Sequence, residues 1–266
     1  MSDVSNKEFL ELVLPKLRDG ESYVVAANEP KTADNAKGKR RHIPTKVGSL
    51  DGIFKEWERI ENKERYNTFY RIGSVDTDAE KINVDAVRQL KTILLDIDVG
   101  KDSPDSYANK TIAKKSIDKF LQQFDKLPKP YVVDSGNGFH IYWPFEEPVD
   151  REIWMQLTSD FAEYLKDNDC QLLIDPSVIK KPTQDIRLVG SRNFNTNGDN
   201  TKELYVAVLE KGEVSTYQYF RDLIPKSIIA PKVPYKEKIK NLSEYQRSLM
   251  ESSEKKFSVI KEKSLK

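Results

Sequence analysis

Two aspartates, Asp96 and Asp98, close the apolar run TILLDID. In a strand, residues two apart share a face, so these carboxylates stand side by side while Leu95 and Ile97 face the other way. Carboxylates held that close repel unless a cation joins them. Hard oxygen donors in that arrangement suit Mg²⁺ or Mn²⁺ and the phosphates such ions carry. The pattern Asp-x-Asp recurs at Asp76–Asp78 and Asp167–Asp169, so the apolar strand in front of Asp96 is the signal rather than the pair alone. A strand-end pair facing solvent is the alternative. A second cluster is SGNGFH, Ser135 to His140. Gly136 and Gly138 permit close backbone approach and leave N–H groups able to cradle a phosphate. His140 opens the strand that follows, where an imidazole donor could hold a triphosphate oxygen or serve only as a buried structural residue. The third candidate is Asp175, at the end of LLID, whose meaning depends on where the fold puts it.

The elements that must position these groups follow from hydrophobic spacing. Residues 92–97 read as a strand, and Ile112, Ile117, Phe120, Leu121 and Phe124 mark a helix. Residues 131–134 and 139–145 read as a hairpin around the Gly-rich turn. Trp154, Leu157, Phe161, Ala162 and Leu165 mark a second helix, and 171–174 a fourth strand. This β-α-β-β-α-β order predicts an α+β, RRM-like (ferredoxin-like) half with sheet order 4-1-3-2, both helices on one face and the other face open to ligands. In that order Asp175, the Asp96/Asp98 pair and His140 occupy three adjacent strands. Three converging carboxylates are the ligand set of a two-metal nucleotidyl-transfer site. Ahead of this half, 5–18 and 49–60 read as amphipathic helices, and 22–27 and 68–75 as strands. Behind it, 186–189 and 203–209 read as strands.

Composition narrows the class. The chain has 266 residues, 38% hydrophobic and 33% charged, with 44 Lys and Arg against 43 Asp and Glu. A single cysteine, Cys170, excludes a disulfide framework and Cys-based zinc or iron–sulfur sites, and fits a reducing compartment. Two histidines, His42 and His140, exclude His-rich metal sites. No apolar run approaches the ~20 residues that span a bilayer, and the N-terminus has no apolar signal core. A cytoplasmic protein with no membrane partner is expected. Six basic residues, Lys39, Arg40 and Arg41 among them, stand against Asp34 over 31–46. This is either a solvated loop or a contact to a phosphate backbone. We expect a core over 1–225, made of an αβ unit (1–88) and the RRM-like half (89–210), and a basic linker and charged tail over 226–266.

LLDIDVG, SGNGFH and LLID together resemble the three motifs of the archaeo-eukaryotic primase superfamily, and Arg187–Asn193 (RLVGSRN) resembles a further stretch of its virus- and plasmid-type primase-polymerases. The resemblance covers roughly residues 68–210. It implies metal ligation by Asp96, Asp98 and Asp175, phosphate contacts from Ser135, Gly136, Gly138 and His140, and a pocket bordered by Arg187 and Asn193. Val189 stands where the family usually has Pro, and Asn195 where it often has Lys. The implied activity is template-dependent DNA priming or polymerisation with Mg²⁺ or Mn²⁺, on single-stranded DNA with NTPs or dNTPs, in phage or mobile-element replication. The compartment would then be the bacterial host's cytoplasm. No P-loop is present, so a helicase would be a separate partner. Two rival classes remain. One is a non-catalytic single-strand binder that stacks bases on Tyr142; the other is a metal-dependent nuclease using the same carboxylates. Phe69 and Tyr70 are candidate sugar-discriminating residues.

Overall fold

Ser5 and Glu8 form a reciprocal capping box that starts α1 (Asn6–Val13). The helix expected over 5–18 stops at Val13 because Pro15 disfavours helical geometry at Leu14. The computed structural model describes residues 4–30, 41–64, 66–100, 103–174, 176–194 and 204–226. All belong to a unit spanning 1–226; the rest of the chain, 227–266, forms a second unit outside the described residues. After α1 come β1 (Glu21–Asn28), β2 (His42–Val47) and α2 (Leu50–Arg59), the last capped by Ser49 and continued by a wider turn over Ile60–Glu64. Then follow β3 (Asn67–Tyr70), β4 (Gly73–Asp76), β5 (Val87–Val99), β6 (Ser106–Tyr107), α3 (Lys110–Gln123), β7 (Tyr131–Asp134), β8 (Gly138–Asp150) and α4 (Arg151–Asp167). The described chain closes with α5 (Pro176–Ile179), β9 (Ile186–Arg187), β10 (Arg192–Asn193), β11 (Leu204–Tyr205), β12 (Ala207–Glu210) and α6 (Tyr217–Leu223).

The fold is mixed α+β around a largely antiparallel sheet of order β12-β7-β8-β5-β4-β1-β3-β9. Within it β5, β8 and β7 stand side by side, the 1-3-2 part of the expected order. The fourth strand does not form. Residues 171–174 are irregular, and β4 and β6 pair with β5 instead. The LLID run is short, and Pro176 behind it has no N–H to donate and opens a helix. The single strand expected over 68–75 is two, β3 and β4, broken at Arg71 and Ile72. Both pair with β1, but β4 goes on to β5 and β3 to β9. This break hands the chain from one half of the sheet to the other. It lets β3 face β8 although β5, β4 and β1 intervene in the hydrogen-bonded order.

Opposed residues in an antiparallel ladder share a face. Leu95, Ile97, Ile141 and Trp143 lie on one face, where Trp143 meets Phe120 of α3 and Phe161 of α4 with ring centroids 6.3 and 5.7 Å apart. Both helices therefore cover the same face, as expected. Each buried aromatic there contributes about 1.5–3 kcal/mol. The opposite face is not open along its length. Phe9 of α1 sits edge-on to Tyr142 at 5.1 Å, and Thr92 donates to the Val13 carbonyl at 2.9 Å. No described helix is long and apolar enough to cross a membrane.

Candidate active site

β5 delivers Asp96 and Asp98 to the face that α1 partly covers, both only half-buried. Asp96 pairs with His140 across the ladder and Asp98 with Gly138. Asp98 also pairs with Ser106 of β6 on its other side. The register thus brings the two aspartates and the Gly-rich hairpin together. Gly138 is required there, because a Cβ would stand 2.2 Å from the Ile97 carbonyl oxygen. Gly136 has φ +91°, while the φ of Asn137 is not positive, the pattern of a two-residue II′ turn. Asp134 braces this turn by accepting the Gly136 N–H at 2.7 Å, and Lys110 of α3 holds the Asp134 carboxylate at 2.6 and 2.7 Å.

His140 is buried, 4% exposed. Burial, with a smaller push from the Arg187 guanidinium, holds its pKa down at about 3. The ring is therefore neutral at physiological pH. Its Nε2 lies 3.7 Å from Asp96 Oδ1, too far for a hydrogen bond, so the contact is a dipole beside a carboxylate rather than an ion pair. Its Nδ1 meets the Tyr142 hydroxyl at 3.2 Å.

Arg187, on β9, donates to Asn67 Oδ1 at 3.0 Å and lies over the Phe69 ring at 4.8 Å. Asn67 Oδ1 also accepts from the Phe194 N–H at 2.8 Å. The chain entering β9 is held by a half-buried pair, Arg71 to Asp185 at 2.9 Å, with the more exposed His42 on the second oxygen at 2.8 Å. Asn193 donates to the Ser135 carbonyl at 3.2 Å and packs so tightly over Gly136 that a Cβ there would meet its amide at 2.6 Å. Two distant segments, RLVGSRN and SGNG, therefore touch. Val189 is buried.

Asp96, Asp98, Ser135, Gly136, Gly138, His140, Arg187 and Asn193 are thus brought to one region. Asp175, Asn195, Lys39 and Arg40 lie outside the described residues. Arg41 is exposed at the start of β2, its N–H donating to Glu29 Oε2 at 3.1 Å. Two expectations are corrected. Tyr142 cannot offer its ring to a base, since it is 0% exposed beneath Phe9. Tyr70 cannot discriminate sugars by contact, since it too is 0% exposed and spends its hydroxyl on Tyr142. Sequence reasoning missed Lys110, Asn67, Arg71 and Asp185. Asp134, two residues before Gly136, carried a local signal as a bracing acceptor; the others are partners only through tertiary contact.

A metal's fit can be judged from the donor set. The described residues contain no group of three or more His, Cys, Asp or Glu placed to hold an ion. Asp96 and Asp98 nevertheless present carboxylate oxygens from one face of one strand, which suits a hard divalent cation.

No protein-family model and no curated protein matches this sequence. Solved structures do. The neighbours are primases and polymerases. The archaeo-eukaryotic primase domain of the cyanophage S-2L primase-polymerase is 15% identical, with a TM-score of 0.46 over 77% of this chain and 90% of that one. The catalytic domain of primase RepB′, solved with initiator DNA, is 12% identical, with a TM-score of 0.45 over 82% and 90%. The polymerase domain of Mycobacterium tuberculosis ligase D, solved with DNA, is 10% identical, with a TM-score of 0.44 over 83% and 88%.

Proposed function

We propose that this chain is a nucleotidyltransferase of the archaeo-eukaryotic primase type, a DNA primase or primase-polymerase serving a phage or other mobile element. The observation that carries this reading is the placement of Asp96, Asp98 and His140 on one face of β5 and β8, beside a glycine hairpin that Arg187 approaches from β9 and Asn193 from the separate β10–β11 pair. Single-stranded DNA is the template, and an NTP or dNTP is the second substrate.

In this reading Asp96 and Asp98 hold Mg²⁺ or Mn²⁺, with Asp175 as the third ligand expected from sequence. Such ions lower the pKa of an attacking hydroxyl and neutralise charge on the leaving group. The chain's own groups bind and orient. His140, neutral and rigidly seated, offers one nitrogen toward the triphosphate. The backbone of Gly136 and Gly138 comes close to the same phosphates, and Arg187, held flat by Phe69 and Asn67, supplies a fixed positive charge. The 3′-hydroxyl oxygen forms a bond to the α-phosphorus, the bond from that phosphorus to the bridging oxygen breaks, and pyrophosphate leaves while the hydroxyl proton passes to solvent. Fixed dipoles and charges at such a site act mainly by positioning and electrostatics. The burial of Tyr142 counts against base stacking on this sheet.

The test is de novo synthesis on a circular single-stranded template with labelled NTPs or dNTPs and Mg²⁺ or Mn²⁺. Wild-type protein is expected to make short products that chelation abolishes, and Asp96→Ala/Asp98→Ala to lose at least about three orders of magnitude in rate, the scale of removing a principal electrostatic element. Equal synthesis by the double variant would overturn the assignment. Shortening of the template in place of primer growth would assign a nuclease.

A further inference from the structure

Tyr70, Tyr142 and His140 form a line of buried polar groups. Tyr70 and Tyr142 are 0% exposed and His140 is 4% exposed. The Tyr70 and Tyr142 hydroxyls are 3.3 Å apart, and the Tyr142 hydroxyl is 3.2 Å from His140 Nδ1. Burial raises the pKa of both phenols, so both keep their protons. Two phenol protons and one imidazole proton must then be distributed along the line.

Two head-to-tail orders are available; a third, in which the Tyr142 oxygen accepts from both neighbours, leaves the Tyr142 proton without an acceptor among the described residues and is costly at full burial. In the first, Tyr70 donates to Tyr142, Tyr142 donates to Nδ1, and the imidazole proton sits on Nε2. In the second, Nδ1–H donates to Tyr142, Tyr142 donates to Tyr70, and the Tyr70 proton has no acceptor. An unsatisfied donor at full burial is costly. The second order also turns the Nε2 lone pair toward the Asp96 carboxylate, 3.7 Å away, where an N–H is favoured electrostatically. Both considerations select the first order.

We propose that Tyr70 and Tyr142 are positioning residues that lock His140 in its Nε2–H form, presenting a single fixed hydrogen-bond donor beside Asp96 for an anionic oxygen of the bound nucleotide. The assignment of that oxygen rests on the functional reading above; the tautomer does not. The two tyrosines come from opposite halves of the sheet, so the donor is set only when β3 closes against β8. Outside the relay, the groups facing His140 are Asp96 from β5 and Arg187 from β9.

Long-range ¹H–¹⁵N correlation on histidine-labelled protein at neutral pH reads the tautomer directly. The chain has two histidines, and His42→Gln assigns the signals. Wild-type His140 is expected as Nε2–H with an unprotonated, hydrogen-bonded Nδ1. Tyr142→Phe is expected to move the Nδ1 resonance to the position of an unbonded nitrogen, and Tyr70→Phe to shift it by less, because Tyr142 loses the hydrogen bond it accepts and becomes a weaker donor to Nδ1. An Nδ1–H wild type, or an Nδ1 resonance untouched in both variants, would overturn the proposal. In steady-state synthesis, Tyr142→Phe is expected to raise the nucleotide KM about fivefold with kcat within about twofold, the effect of one weakened hydrogen bond. A kcat loss without a KM change would remove the nucleotide-oxygen assignment. A wild type that adds no nucleotide would sink the functional reading, while the spectrum still decides the relay.

Discussion

At the scale of single residues, the site rests on positions where no other side chain fits. Gly138 lets β8 approach β5 at Asp98, and Gly136 makes room for the Asn193 amide. Gly138→Ala would drive a methyl into the Ile97 carbonyl and is expected to cost about 1–3 kcal/mol, as overpacking does, with a matching fall in the urea midpoint. Because the strain lies under Asp98, synthesis should fall further than stability accounts for. The Asp96 and Asp98 pair was legible from period-two spacing alone, and so was the turn that carries the glycines. The hydroxyl partners of His140 were not. Tyr142 reads from sequence as a face-sharing aromatic, and nothing local says that Phe9 covers it or that Tyr70 reaches it.

Among the elements, β6 matters beyond its two residues. It pairs with Asp98 and Val99, and the Tyr107 hydroxyl accepts the Leu173 N–H at 2.9 Å. Residues 172–174 are therefore tied to the end of β5 by a side chain and not by a ladder. Tyr107→Phe removes that acceptor. Hydrogen exchange at the Leu173 amide should quicken about fivefold, the equivalent of one hydrogen bond of about 1 kcal/mol. Unchanged exchange would show that the tether does not hold the segment. Spacing placed the helices α2, α3 and α4 and the strands β5 and β8 because each has a long apolar period, and the four-residue β7 because the Gly-rich turn pairs it with β8. It failed for 171–174, where a run of four residues before Asp-Pro reads as a strand but its polar groups find partners elsewhere. It also joined β3 to β4, because hydrophobic alternation does not register the break at Arg71, whose side chain turns to Asp185.

Over the whole described unit, contacts between distant segments fasten the outer helices to the β5 and β8 part of the sheet. One is at the C-terminal side, where Arg221 of α6 meets Asp160 of α4 at 2.7 Å, with side-chain exposures of 5% and 0%. Phe220 packs on Phe145 beside it at 5.5 Å. Breaking a buried pair leaves an uncompensated charge, so Asp160→Ala is expected to cost about 3–5 kcal/mol, measured by urea unfolding. A loss below about 1 kcal/mol, the scale of an exposed pair, would mean that the Arg221 head escapes to water. The sequence by itself determined the local half of this protein: the carboxylate pair on its strand, the glycine hairpin and the helices. Those depend on period and turn geometry, which neighbouring residues dictate. Only the tertiary structure decided that α1 covers the sheet face, that β4 and β6 flank β5, that Asn193 braces Gly136, and that two buried tyrosines from opposite halves reach His140. Phe9 lies 133 positions from Tyr142, Tyr70 72 from Tyr142 and Asn193 57 from Gly136, while β4 and β6 meet β5 over 8 to 17 positions; near or far, these partners are selected by how the closed core shares out space and hydrogen bonds, which no local pattern encodes.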